Sequence, residues 1–376
     1  MTPDSIGSVA KTDGTHSEGM NAVAGGVEKS RWRLTQADTQ MLKGVAICLM
    51  LWHHLFQGAH DIGGWTWWWG RHGNICVALF LFLSGYGMSA KYGRQLTKGR
   101  FWPTACVCWL RRYWGMFWGY WPVFIPALVV GVFGFHRGLA DAYGVEGMRQ
   151  WVCLGVDFFA FGGYRSYNIT WWFYRLIVIF YFLYPFLQVA TAKRWWTWAL
   201  CPLLVTGAFG WLGTFCNEWI LNRWLFAFLS GMFACAATVR WGAVLFQRRY
   251  WVWAGGLLAS FAGFWIRDKW GENVDGVLAM ALVAVLLPML RHAGPLRLVG
   301  VFLGRHSMNV FMIHTFICSY FGAAWIQSFE NPWARFIVLL VASLALSLIV
   351  EAGKTVLGVG RLAKEVPLAA WMERRA

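Results

Sequence analysis

Charge is what this 376-residue chain has least of: Asp, Glu, Lys and Arg together make 13%, against about 25% in a soluble globular domain. With 58% hydrophobic residues and a mean hydropathy of +0.47, that scarcity excludes an ordinary soluble domain and leaves a polytopic membrane protein. Acidic residues are scarcer still, 17 against 33 Lys and Arg. The net charge of +16 does not point to nucleic acid, because the basic residues are scattered between apolar runs rather than gathered on one polar face. Anionic lipid headgroups are the expected partners for them. Residues 1–30 lack an apolar core, which excludes a signal peptide; rich in Gly, Ser and Thr, they read as a disordered cytosolic tail. No CxxC, no His-x-x-x-His and no carboxylate–histidine cluster occurs, so no metal site is expected. The nine cysteines lie mostly inside apolar stretches, where a free thiol acts as a small hydrophobe. A Gly-x-Ser-x-Gly elbow is missing as well, and no internal repeat is visible.

What is present is a succession of apolar runs of membrane length. Ten spans fall at about 42–58, 74–91, 113–135, 171–190, 196–213, 223–240, 250–266, 275–291, 306–327 and 334–352. If the N-terminus is cytosolic, the inner segments hold 24 Lys and Arg and the outer loops 8. That bias predicts about ten transmembrane helices with both termini in the cytosol. The chain is thus expected to comprise a cytosolic tail (1–33), an all-α transmembrane unit (34–356) and a short basic C-terminal tail (357–376). Trp65–Trp69, Trp171–Trp172 and Trp195–Trp198 cluster at span ends, as an interfacial aromatic belt does. The longest loop, His136–Thr170, is expected outside.

The first span carries the most informative pattern. Met41–Phe56 reads MLKGVAICLMLWHHLF, with Lys43 near its start and His54 eleven residues on. Eleven steps of about 100° return to nearly the same helix face, about 16 Å along the axis. One face therefore sets a cation at the rim and an imidazole at depth, where ionisable groups are costly and usually functional. His53 lies about 100° round the helix and cannot share that position.

Five stretches taken together resemble the acyltransferase-3 family of integral membrane enzymes that O-acylate bacterial surface glycans. KGVAICLMLWHH is similar to the family's first-helix signature at Lys43, Gly44 and His54, with Lys where many members have Arg. ALFLFLSGYGMS (78–89) resembles the run ending in Leu83, Ser84 and Gly85; Ala78 stands where an acidic residue is common. LRRYWGMFW (110–118) resembles the arginine cluster opening the third helix, here Arg111 and Arg112. NITWWFYRLIVIFYFLYP (168–185) resembles the Asn…Trp-Phe opening of a helix that ends in Pro. GRHSMNVFMIH (304–314) resembles the late signature, at Gly304, Ser307, Phe311 and His314. The resemblance implies about ten helices and acyl transfer from cytosolic acyl-CoA to a hydroxyl, in the plasma membrane.

Such a transfer needs a base for the acceptor proton and groups that hold the thioester and receive charge on its carbonyl. His54 suits the base, since an imidazole titrates near neutrality. Lys43, Arg111 and Arg112 are the expected cations for the donor's phosphates. Ser307 and His314, seven apart on one helix face, are candidates to orient the carbonyl or the acceptor, or form a structural hydrogen bond. Ser84–Gly85 reads as a close helix approach rather than a nucleophile. Asn168, Trp172, Arg175 and Asp157 are candidates for the outer, acceptor side. Arg94, Lys98 and Arg100 read as ordinary inside anchors. The partners expected are acyl-CoA, a carbohydrate acceptor and membrane lipids. A transporter or flippase of a lipid-linked glycan is the alternative for such hydropathy.

Overall fold

The computed structural model describes residues 33–58, 64–162, 166–192, 197 and 219–375. Among them every regular element is helical. The helices are α1 (Gln36–Phe56), α2 (Gly64–His72), α3 (Ile75–Lys98), α4 (Phe101–Val129), α5 (Leu139–Tyr143), α6 (Met148–Phe158), α7 (Trp172–Ala192), α8 (Trp219–Gln247), α9 (Arg249–Trp270), α10 (Asp275–Arg291), α11 (Pro295–Thr315), α12 (Ala323–Gln327), α13 (Pro332–Val356), α14 (Val359–Leu362) and α15 (Pro367–Arg375). One π-helical turn follows α4 at Val130–Gly134, and another follows α11 at Phe316–Tyr320.

Among the described residues six helical segments are long and apolar enough to cross a membrane: Gly64–Lys98, Phe101–Gly134, Ile169–Ala192, Arg223–Gly242, Gly271–Arg291 and Pro332–Val356. They match six of the ten expected spans. Three more, α1, α9 and α11, form helices of 21 or 22 residues where spans were expected, but they are more polar. Each carries ionisable side chains that face protein rather than lipid, such as Lys43 and His54 on α1 or Arg267 on α9. The expected span at 196–213 and the N-terminal tail lie outside the described residues. On the periphery, Leu258 and Phe261 of α9 and Ile349 of α13 are two-thirds or more exposed. Large aliphatic and aromatic groups turned outward on long helices are what lipid contact requires.

Two glycine crossings hold the centre together. A Cβ on Gly44 would lie 2.4 Å from the Gly300 carbonyl oxygen, and one on Gly304 would lie 1.8 Å from that of Gln40. The backbones of α1 and α11 therefore touch near the beginning of both helices. A second pair joins α3 to α8: a Cβ on Gly85 would meet the Phe228 oxygen at 2.1 Å, and one on Gly231 the Phe82 oxygen at 1.9 Å. Small residues that let backbones meet replace the hydrophobic drive that lipid cannot supply. The expected close approach at Ser84–Gly85 is this second crossing.

The start of α1 is fixed by a capping box. Thr35 Oγ1 accepts from the Asp38 N–H at 3.1 Å and Asp38 Oδ2 from the Thr35 N–H at 2.9 Å. Arg291, at the end of α10, donates to both Asp38 oxygens at 2.6 and 3.1 Å. α4 continues as a helix through Pro122 and Pro126 and loosens only at the π turn after them. The C-terminal segment returns to α4, where Trp114 Nε1 donates to the Leu362 carbonyl at 2.9 Å.

Candidate functional site

α1 and α11 run side by side in the same direction, crossing at their glycines. The histidines at their far ends consequently meet: the rings of His54 and His314 lie 4.8 Å apart, tilted by 46°. His314 is fully buried. Its Nδ1 donates to the carbonyl oxygens of Phe311 at 2.8 Å and Val310 at 3.2 Å. Both partners are acceptors only, so Nδ1 carries the proton and Nε2 keeps a lone pair; that Nε2 is buried and unpartnered. His53 points elsewhere, its Nδ1 donating to the Gly70 carbonyl at 2.7 Å. Among the described residues His54 is the one imidazole of the three whose ring nitrogens have no hydrogen-bond partner, and it keeps part of its surface open.

Nearer the start of α1, Lys43 lines a cavity of about 270 Å³ together with Arg111 and Arg112 of α4, Ser84 of α3 and Ser307 of α11. Three cations and no carboxylate lie on this wall. Arg112 rests its guanidinium over the rings of Tyr92 and Tyr181, 5.7 Å from each, which partly offsets its burial. Three cations gathered on one wall make it complementary to an anion. Its apolar part is aromatic: Phe80, Phe173, Tyr174, Tyr181 and Phe311. Phe311 also packs on His314, with ring centroids 6.2 Å apart. The cation-walled cavity and the histidine pair are thus separated by one aromatic ring on α11.

The structure therefore gathers Lys43, Arg111, Arg112 and Ser307 on one wall, and His54 with His314 in the layer beyond it. The outer candidates are placed differently. Asn168 is fully buried and its side chain is saturated: Nδ2 donates to Thr315 Oγ1 at 2.6 Å and the Met312 carbonyl at 3.3 Å, and Oδ1 accepts from Thr170 N–H and Oγ1 at 3.0 and 2.8 Å. It fastens the long loop to α11. Asp157, 1% exposed, accepts from Tyr143 Oη at 3.0 Å, Ser166 Oγ at 2.9 Å and the Tyr167 N–H at 2.7 Å. Burial pushes its carboxyl up to about 6 despite those bonds. Both residues face inward and hold the loop in shape, with no surface at an outer mouth. Trp172 and Arg175, in the first turn of α7, stay partly exposed. Among the described residues no three His, Cys, Asp or Glu side chains gather as metal ligands.

Sequence reasoning missed Tyr174 and Tyr181 on the cavity wall. The signal was present, since they are seven residues apart on α7 and so share a face with Ile177. It was hidden by the aromatic richness of the whole helix.

The profile of the acyltransferase-3 family, described as an acyltransferase domain, matches residues 38–352. No curated protein and no solved structure matches the chain. The matched region runs from the capping box of α1 into the last turns of α13 and takes in every cavity-lining residue named above. With its apolar helices and its paired histidines behind a cationic wall, the chain belongs to the acyltransferase-3 family and is a multi-pass membrane acyltransferase.

Proposed function

We propose that this acyltransferase moves an acyl group, acetyl in our reading, from cytosolic acyl-CoA to a hydroxyl of a cell-surface or lipid-linked carbohydrate, in the plasma membrane. The single observation that carries the reading is the cationic cavity one aromatic ring away from His314, which in turn packs on His54. The topology we propose has ten helices and cytosolic termini, with 196–213 as the fifth span; the inside bias of Lys and Arg supports it.

In this reading Lys43, Arg111 and Arg112 take the donor's phosphates, and the aromatic wall takes the pantetheine arm. His54 accepts the proton of the acceptor hydroxyl as its oxygen attacks the thioester carbonyl. Ser307, on the wall with the cations, hydrogen-bonds the donor there. When the C–S bond breaks, the thiolate of CoA takes the proton back from His54. His314, its Nδ1–H fixed to the backbone, offers Nε2 to an N–H of His54 and steadies the imidazolium. Trp172 and Arg175 are proposed on the acceptor side, where their partial exposure leaves them open to a sugar.

The test uses full-length protein in lipid nanodiscs with labelled acetyl-CoA and a glycan acceptor. Acceptor-dependent release of CoA thiol is expected, with transfer of label to the glycan. Label bound to protein after an acid quench without acceptor is expected only if transfer passes through an acyl-enzyme. Wild-type turnover in the His54→Ala protein would overturn the assignment of the base.

A further inference from the structure

A second cavity, of about 630 Å³, lies between α3, α7, α8 and the residues before α1. It is the larger of the two and shares no lining residue with the first. Four cations border it: Arg33 before α1, Arg94 and Lys98 of α3, and Arg240 of α8. No Asp or Glu does. Inside anchoring accounts for each cation taken singly. It does not account for four of them, drawn from three separate parts of the chain, surrounding one concavity.

A built polar wall faces the same space. Gln188 of α7 is nine-tenths buried, and Ser89 Oγ donates to its Oε1 at 2.9 Å. That fixes the amide and leaves its Nε2 donor with no protein partner, bordering the cavity. Gly93, across from it on α3, borders the same space; a Cβ there would stand 3.4 Å from that nitrogen, in ordinary contact. An amide held in place at a cavity surface, with its donor free of protein partners among the described residues, is available to an acceptor inside the cavity. Cations, a spare amide donor and no carboxylate together describe a receptor for phosphate oxygens.

Tyr92 stands between the two cavities. Its ring carries Arg112, of the first wall, at 5.7 Å, and Gly93, the next residue along α3, lines the second. We propose that the second cavity is a binding site for a phosphate-bearing ligand, distinct from the site around Lys43. The chemistry is shared by the nucleotide end of a coenzyme thioester and by an anionic lipid headgroup.

The experiment measures binding rather than turnover, so its outcome is independent of the acyl-transfer reading. Full-length protein in phosphatidylcholine nanodiscs is titrated with adenosine 3′,5′-bisphosphate. In parallel, phosphatidylglycerol retained by the detergent-purified protein is counted by native mass spectrometry. The triple variant Arg94→Gln/Lys98→Gln/Arg240→Gln is expected to lose about tenfold or more in one of these two ligands. The one lost names the source. Gln188→Leu, which changes no charge, is expected to weaken the same ligand by about threefold. Arg248→Gln/Arg249→Gln removes positive charge beyond the end of α8, outside the cavity, and is expected to leave both unchanged. Thermal midpoints establish that each variant is folded. Equal losses in the triple variant and the control, or no loss of either ligand, would overturn the proposal.

Discussion

At the scale of single residues, the decisive feature is what each histidine is bonded to. His53 and His314 donate their Nδ1 protons to backbone carbonyls, while neither ring nitrogen of His54 has a hydrogen-bond partner among the described residues. His54→Ala is therefore expected to lower acceptor-dependent thiol release by about 10²–10⁴-fold, the range of a general base, with little change in thermal midpoint. The Lys43–His54 spacing was legible in the sequence because both residues sit on one helix, where periodicity alone sets their face. The roles of Asn168 and Asp157 were not. Each is polar, at the outer side and near a signature, and only their partners on other elements reveal them as internal fasteners. Asp157 also yields a pH prediction. Its carboxyl is raised from 3.8 to about 6 in the fold, so the neutral form is favoured there relative to the unfolded chain. That contribution is complete below pH 3.8 and is lost as pH rises through about 6. The thermal midpoint is expected to rise as pH is lowered from 7.5 to 5, and Asp157→Asn is expected to flatten this gain.

At the scale of elements, backbone contact at glycine aligns the site. Gly304→Ala would drive a methyl into the Gln40 backbone, and the two helices must part. Because that crossing sets the register of His54 against His314, the variant is expected to lose both stability and turnover. Gly255→Ala on α9, where nothing lies within 4 Å, is the matched control; it is expected to be neutral or to gain up to about 1 kcal/mol. Thermal unfolding of both variants checks the pair. A second element-scale device joins α2, α9 and α10. Arg267, 5% exposed, donates to Asp275 at 2.6 and 3.1 Å, sits 2.8 Å from His72 Nδ1 and reaches Asn74. Glu272 continues the network to Arg223. Arg267→Ala leaves Asp275 buried and uncompensated, with an expected cost of about 3–5 kcal/mol, measurable as a lowered thermal midpoint. Nothing local in the sequence singles out Arg267, since His72 and Asn74 reach it from a segment far away in the chain.

At the scale of the whole molecule, the most apolar span is also the least buried, while the histidine-bearing ends of two more polar helices are covered. α13, with 17% of its membrane window buried, is a lipid-facing helix; α1 and α11, which bear the histidines, are shielded by their neighbours. Of the four expected spans not among those six, 196–213 lies outside the described residues, and α1, α9 and α11 are diluted with polar and charged groups. The proposed topology predicts opposite labelling of two exposed positions. In sealed right-side-out vesicles, an impermeant maleimide is expected to react with Arg149→Cys in the long loop and not with Lys364→Cys near the C-terminus. The reverse pattern would invert the orientation.

By itself the sequence determined the solvent. So few charges over so many apolar runs can be satisfied only in a bilayer, because helices there close their own hydrogen bonds and need nothing else. It also determined the family and the helix face shared by Lys43 and His54, since signatures and periodicity are local along the chain. Only the tertiary structure decided which imidazole stays unbonded, which polar residues are fasteners, and that four scattered cations surround a second cavity. Those properties are relations between helices, and they come into being only when the glycine crossings bring distant segments within a few ångströms of one another.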